Sequence, residues 1–321
     1  MNFITSLFTS AIRLGTTLLF GSTGEIVTEK SGHLNLGIPG IMCVGAAFGM
    51  WGGTLYYGAA ANPNMFLATL IPMLFAIFGA GLMGALYSFF AVTLRSNQNV
   101  TGLMITTFGV GLGKFIKTQL GEKSDTAIGA FAPYYRSLFP FADKLGWFGE
   151  MFFSYSFLVY FAIAVALVVA YVMKKTRVGL HLRAVGENPA TADAAGINVT
   201  RYRYIATIIG SAIAGIGGFF FIFDKGAWDS GLVTVEALGW LSVALVIFTI
   251  WKTDFAILGA IVFGALYILP NKLNVSFAMR EIIEMLPYFV TIVVLVFTSM
   301  RKKKENQPPA SLGLPYFREE R

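Results

Sequence analysis

The chain has 321 residues, of which 56% are hydrophobic and 13% charged, with 24 Lys and Arg against 17 Asp and Glu for a formal net charge of +7. A mean hydropathy of +0.68, beside the roughly 25% of charged residues usual in soluble domains, excludes a water-soluble globular protein and indicates a polytopic membrane protein. Two histidines and one cysteine leave no material for a multi-histidine centre or a CxxC metal site, and the positive balance follows from loops and tail without any nucleic acid.

Apolar spans fall at 4–22, 36–56, 65–94, 100–118, 151–173, 204–223, 236–251, 254–270 and 284–300, about nine stretches near the length needed to cross a bilayer as a helix. The first opens without a basic leader region or a clear small-residue cleavage site, so it reads as a retained helix. Residues 24–40, GEIVTEKSGHLNLGIPG, interrupt the pattern with four glycines and Pro39. They read either as a broken helix, whose irregular backbone survives at membrane depth only when buried or lining a wet cavity, or as a turn holding Glu25, Glu29 and Lys30 at the interface. In the broken-helix reading Asn35 presents its amide to substrate. From Ser31 to Leu94 there is no Asp, Glu, Lys or Arg, and Cys43 within that run is expected to serve packing. GVGLGKF at 109–115 approaches a phosphate loop, but Phe108 stands at the first glycine position and Phe115 replaces Ser or Thr.

In loop 119–150 the bases Lys123, Arg136 and Lys144 are outweighed by Glu122, Asp125, Asp143 and Glu150, as expected outside the cell. Loop 174–203 is the reverse, with Lys174, Lys175, Arg177, Arg183, Arg201 and Arg203 against Glu187 and Asp193, and short basic loops stay cytoplasmic. Within it Asn188 suits an N-cap, Pro189 the first helical position, residues 190–195 a helix, and Gly196 a left-handed stop. Two turns of helix are too short to persist in water, so either a partner protein or the membrane domain itself must cover this one. Asp224, Asp229 and Glu236 cluster near the opposite face. Residues 301–321, opening on Arg301, Lys302, Lys303 and Lys304, are expected to form a cytoplasmic tail, leaving 1–300 as one transmembrane domain. Gly45, Gly49 and Gly53, and Gly210, Ala214 and Gly218, recur at the spacing that lets membrane helices approach closely.

RAVGENPATADAAGINVTRYRYIA (183–206) with GSAIAGIGG (210–218) resembles the cytoplasmic coupling segment and following helix of ATP-binding-cassette importer permeases for nucleosides and simple sugars. GEIVTEKSGHLNLGIPGIMCVGA (24–46) and LGWLSVALVIF (238–248) are similar to further family signatures, and PASLGLPYFREER (309–321) resembles the nucleoside branch. The chain departs from the family pattern at Lys30, His33, Pro39 and WKTDFA (251–256), which bear on fine substrate preference and leave the coupling segment intact.

The resemblance implies an all-α bundle like that of type II importers, in a bacterial cell membrane with the C-terminus cytoplasmic. It implies a second, related permease, a cytoplasmic ATPase that holds ATP and Mg, and an extracytoplasmic substrate-binding protein. No cofactor or catalytic residue is expected in this chain. Glu187 and Asp193 would meet basic groups of the ATPase, while Asn188, Pro189 and Gly196 set the ends of the coupling helix. Asn35, Asn99, Thr106, Thr107 and Trp240 are candidates for the substrate pathway. Nucleoside import by alternating access is the leading expectation and simple-sugar import the alternative. An ion-coupled transporter would need intramembrane ionisable groups, of which the spans offer Arg13, Lys114 and Lys117, and a scaffold would not explain the coupling-like loop.

Overall fold

Long charge-free segments must satisfy every backbone group internally once they are in lipid, which makes helices the default. The computed structural model is correspondingly helical among its described residues, which are 3–60, 62–135, 139, 142–226, 231–273, 276–300 and 307–318, with the side chains of residues 143, 298 and 299 excepted. The helices are α1 (Phe3–Glu29), α2 (Ile38–Ala59), α3 (Met65–Ser88), α4 (Gln98–Leu120), α5 (Glu122–Phe131), α6 (Gly146–Phe153) and α7 (Phe157–Lys175). They continue with α8 (Arg177–Glu187), α9 (Pro189–Ala194), α10 (Val199–Lys225), α11 (Gly231–Phe248), α12 (Thr253–Lys272), α13 (Phe277–Glu284) and α14 (Leu286–Met300).

Seven of these are long and apolar enough to cross a membrane: α1, α2, α3 with its π-helical extension to Thr93, α7, α10, α11 and α12. Two of the nine expected spans fall outside that set. α14 has 15 residues, and α4, with 23 residues, carries Asn, Gln, Thr and Lys along its length. The broken-helix reading of 24–40 gives way to its alternative. α1 runs unbroken through Glu29, residues 30–37 form a turn, and Gly37 and Pro39 open α2. This turn is nonetheless buried, with Ser31, His33 and Asn35 all at 0% exposure. The span expected at 236–251 begins and ends earlier, as α11, because Ile250 and Trp251 take left-handed backbone (φ 56° and 53°) in the turn to α12. The span 151–173 starts only at Phe157, the preceding residues forming α6.

The glycines read as packing marks do let backbones touch. A Cβ on Gly45 would lie 2.4 Å from the Gly215 carbonyl oxygen, one on Gly218 would lie 2.0 Å from that of Met42, and one on Gly210 would lie 2.4 Å from that of Gly24. α10 is thereby clasped between α1 and α2. Cys43 is fully buried there, its thiol directed at the Leu232 carbonyl.

Polar contacts sort the connecting segments into two ends of the bundle. At one end Trp251 Nε1 donates to Glu29, Lys174 pairs with Asp254 at 2.8 Å, Tyr87 donates to the Leu34 carbonyl, and Thr93 bonds Tyr204. At the other, Tyr135 donates to the Ala68 carbonyl at 3.2 Å, Lys117 pairs with Asp125, and Lys272 donates to Ser6 at 2.7 Å. Segments 30–37, 94–97, 174–203 and 249–253 share the first end; α5, α6 and α13 share the second. Arg13 is committed to Asp224, at 3.0 and 2.6 Å. Asp229 and Arg136 lie outside the described residues, Glu236 is half-buried on α11, and no group that could hold a metal occurs among the described residues. GVGLGKF is interior helix in α4.

Candidate functional site

The coupling-like segment folds as two helices, not as a loop with one. α8 is capped by Thr176, whose hydroxyl accepts from Gly179 N at 3.2 Å, and its apolar face buries Leu182 and Val185. α9 is built as its residues suggest. Asn188 Oδ1 accepts from Thr191 N at 3.0 Å, Pro189 takes the first position, and Gly196 closes the helix at φ 82°. Gly196 N donates to the Asp193 carbonyl at 2.9 Å and Ile197 N to that of Ala192 at 3.0 Å, so the C-terminal carbonyls are satisfied. Beneath α9, Val185, Ala192 and Val199 form a small core with half-buried Tyr316. Its outer surface is Glu187, Asn188, Ala190, Thr191, Ala194 and Ala195, all exposed. Small side chains on a rigid helix allow a partner's backbone to come close.

What holds this segment was not evident from its own sequence. The Gly186 carbonyl accepts from both Ser311 N (3.0 Å) and Ser311 Oγ (2.5 Å), and Gly313 N donates to the Gly32 carbonyl at 3.2 Å. Over 307–318 the expected tail is therefore docked against the coupling-like segment; residues 301–306 and 319–321 lie outside the described set. A Cβ on Gly186 would come within 2.3 Å of the Lys30 carbonyl oxygen, and one on Gly32, already at φ 92°, within 2.8 Å of Ser311 Oγ. Three distant stretches thus meet backbone to backbone. The apolar run Leu312, Leu314, Tyr316 and Phe317 after the basic start of the tail was the available signal.

Asp193 and Glu187 differ in kind. Asp193 accepts from Tyr316 OH at 2.9 Å and pairs with Arg318 Nε at 3.2 Å, so it fastens the tail. Glu187 is exposed. In the buried turn, His33 Nδ1 bonds the Thr207 hydroxyl at 3.0 Å, and burial, reinforced by nearby Arg203, holds its pKa well below the usual histidine value, leaving a neutral ring. Burial likewise lowers the pKa of Lys30, opposed by Glu187 and assisted by Arg183.

Of the pathway candidates, Asn35 is fully buried, its Oδ1 accepting from Gly37 N at 2.9 Å, and Thr106 donates to the Leu36 carbonyl at 2.8 Å. Thr106 binds the 30–37 turn to α4, while Asn35 braces the turn internally and, through its backbone N–H, against Glu25 of α1. Asn99 and Thr107 are exposed on one face of α4, and Trp240 is partly exposed on α11. That face of α4 carries Asn99, Thr107, Gly111, Lys114 and Thr118 with exposed Val100 and Leu103 among them, whereas α3 turns Phe66, Leu74, Phe78 and Leu82 outward.

The family described as "Branched-chain amino acid transport system / permease component" matches residues 7–296. The chain belongs to this permease family. A protein of Haloferax volcanii that carries the provisional name of glucose ABC transporter permease protein TsgC13 is 30% identical over 99% of each chain. The nucleoside ABC transporter permease protein NupC of Lactococcus lactis is 32% identical over 87% of this chain and 88% of its own. The guanosine ABC transporter permease protein NupQ of Bacillus subtilis is 28% identical over 95% and 94%. The permease described here is thus a multi-pass membrane subunit of ABC transporters, with its match spanning all the helices of the bundle.

Gly196→Leu tests α9 directly. A Cβ there meets nothing within 4 Å, so the substitution costs only the left-handed conformation, about 1–2 kcal/mol. The permease should reach the membrane in normal amount, while amide exchange across 189–197 rises and transport falls. Unchanged transport would separate α9 from coupling.

Proposed function

We propose that this permease imports nucleosides by alternating access, driven by a separate cytoplasmic ATPase that binds ATP and Mg and docks on α9. The observation that carries the reading is the exposed, small-residue surface of a helix whose underside is fixed by three separate chain segments. A helix of 6 residues has no independent stability, so force applied to it passes into α1, α10 and the 30–37 turn instead of melting it. Glu187 and the caps Asn188, Pro189 and Gly196 form the docking surface. Asp193 contributes from behind, through the tail.

The coupling end carries Lys174, Lys175, Arg177, Arg183, Arg201 and Lys252 in short segments, which supports a cytoplasmic placement for it and for residues 307–318. A bacterial cell membrane, with a substrate-binding protein at the opposite end, completes the reading. The polar face of α4 is unsuited to lipid, because exposed Asn and Lys are costly in hydrocarbon. We assign it to the substrate pathway, closed by a second, related permease, with Asn99, Thr107 and Trp240 as lining residues. Thr106 then acts one layer back, holding α4 to the 30–37 turn, which Asn35 orders from within. In the assembled transporter Thr107→Cys should react with a membrane-impermeant thiol reagent and be protected by substrate, while Phe78→Cys on α3 stays unreactive. An unreactive Thr107→Cys would remove α4 from the pathway.

NupC and NupQ support nucleosides, and TsgC13 supports a simple sugar as the second reading. ATP-dependent uptake of labelled uridine by the reconstituted complex decides between them. Loss of uptake without this subunit and competition by adenosine and guanosine, but not ribose, is the expected result. Competition by ribose alone would favour the sugar, and no ATP-dependent uptake of either would overturn both.

A further inference from the structure

The docked tail reaches past α8 and α9 to the start of α4. One residue after Gly313, which bonds the 30–37 turn, the Leu314 carbonyl accepts from Gln98 Nε2 at 3.4 Å. Gln98 is the first residue of α4 and is 2% exposed. Its Oε1 accepts from Leu34 N at 2.8 Å. That bond fixes the orientation of the amide, because its oxygen must face the Leu34 N–H. The NH2 is left to find an acceptor, and the Leu314 carbonyl supplies one. A single buried side chain therefore joins α4 to two segments that lie 64 and 216 positions from it in the chain.

Beyond Gln98 the same edge of α4 is pressed onto residues 34–40. A Cβ on Gly102 would lie 2.7 Å from Leu36 N and one on Gly109 2.4 Å from the Gly40 carbonyl oxygen, and Thr106 donates to the Leu36 carbonyl at 2.8 Å. These positions recur at the spacing of one helix face, and where backbone meets backbone no side chain can yield. Asn97 Oδ1 accepts from Asn99 N at 3.0 Å and Val100 N at 3.2 Å, so the first turn is capped and passes a displacement on instead of fraying. At the far end of the tail, Tyr316 and Arg318 hold Asp193 of α9, and Phe317 lies 4.9 Å from the Arg95 guanidinium, just ahead of α4. Residues 314–318 thus form a strap from α9 to the start of α4.

We propose that Gln98 is a positioning residue through which the tail and the 30–37 turn set where α4 stands, so that a displacement of α9 reaches the face carrying Asn99 and Thr107. The inference rests on the reading of that face as pathway-lining and adds the route by which the coupling end moves it. A shift of Asp193 draws on the strap, the strap draws on Gln98, and the buried edge of α4 follows together with the turn.

Cys43 is the one cysteine of the chain and is buried, so Thr107→Cys places a single accessible thiol on the exposed face of α4. In the complex with its ATPase, the rate at which a membrane-impermeant thiol reagent labels this subunit is measured at rest and after trapping with ATP and vanadate. The pair of rates is taken with Gln98 intact and with Gln98→Met, which keeps the length of the side chain and loses both bonds. With Gln98 intact the two rates should differ by about fivefold or more, and Gln98→Met should shrink the difference to about twofold or less while ATP hydrolysis continues. If Gln98→Met moves both rates together and keeps their ratio, the residue only packs and the proposal is overturned. Equal rates in the two states with Gln98 intact would overturn the pathway reading of α4 itself, and the proposal with it. Should Gln98→Met fail to assemble, ending the chain at Gly313 removes the Leu314 carbonyl, leaves α4 unaltered and keeps the Ser311 and Gly313 bonds. A ratio preserved in that shortened chain also overturns the proposal, and a ratio lost supports it.

Discussion

Gly186→Val should cut ATP-dependent uptake by about tenfold or more while leaving the membrane bundle assembled. The contact it breaks is between backbones: a Cβ at residue 186 would sit 2.3 Å from the Lys30 carbonyl oxygen and 3.3 Å from Gly32 N. No side-chain rotation relieves that clash, so α8 must move away from the 30–37 turn. In moving it gives up the Ser311 bonds to the Gly186 carbonyl. Overpacking typically costs about 1–3 kcal/mol, concentrated here on a segment outside the bundle. The main helix contacts, among α1, α2 and α10, lie elsewhere. Uptake should therefore fall by about tenfold or more, with normal size-exclusion behaviour. Gly58→Val is the comparison, since a Cβ there meets nothing within 4 Å, and should transport normally. Wild-type uptake by Gly186→Val would mean that the seat of α8 has no part in coupling.

Ending the chain at Asn306 should have the second-largest effect. It deletes no membrane helix, yet it removes the Ser311 and Gly313 bonds, the Tyr316 and Arg318 contacts to Asp193, and Tyr316 from the core beneath α9. Each hydrogen bond contributes a net 0.5–1.5 kcal/mol or so, and together they fix α8 and α9. The shortened permease should enter the membrane and still bind the ATPase, but hydrolysis should no longer respond to substrate, and uptake should fall several-fold. Faster proteolytic cleavage between 187 and 198 would report the loosening independently. Tyr316→Phe alone, losing one bond of about 1 kcal/mol, should have only a small effect. A truncated permease with wild-type uptake and unchanged cleavage would rule out the bracing role.

The membrane character and the helical fold were legible because hydrocarbon enforces them: a run such as 31–94 without one charged residue admits few alternatives. α9 was legible because capping chemistry is local, with Asn188, Pro189 and Gly196 each constrained by its own neighbours. The π-helical turn at 89–93 and the left-handed pair Ile250 and Trp251 were not, since Glu29 reaches Trp251 from 222 residues away in the chain. The broken-helix reading of 24–40 missed for a related reason. The reading rested on four glycines and Pro39, but Gly24 packs within α1 against the Gly210 carbonyl, Asn35 N and Trp251 Nε1 donate to buried Glu25 and Glu29, and the helix continues to Glu29. Asp193 looked outward-facing because the residues that engage it, Tyr316 and Arg318, come more than 120 positions later. Long-range polar contacts of this sort carry no periodic signature.

The docked tail also orders events in time. Residues 307–318 follow every membrane helix among the described residues, so they leave the ribosome after all of those helices have been made, yet Ser311 supplies two of the bonds that fix α8 in place. The seat of α9 is therefore completed only after these helices, long after its own residues have been synthesised. A polypeptide interrupted before Ser311 would leave α8, and α9 after it, without the bonds that fix them.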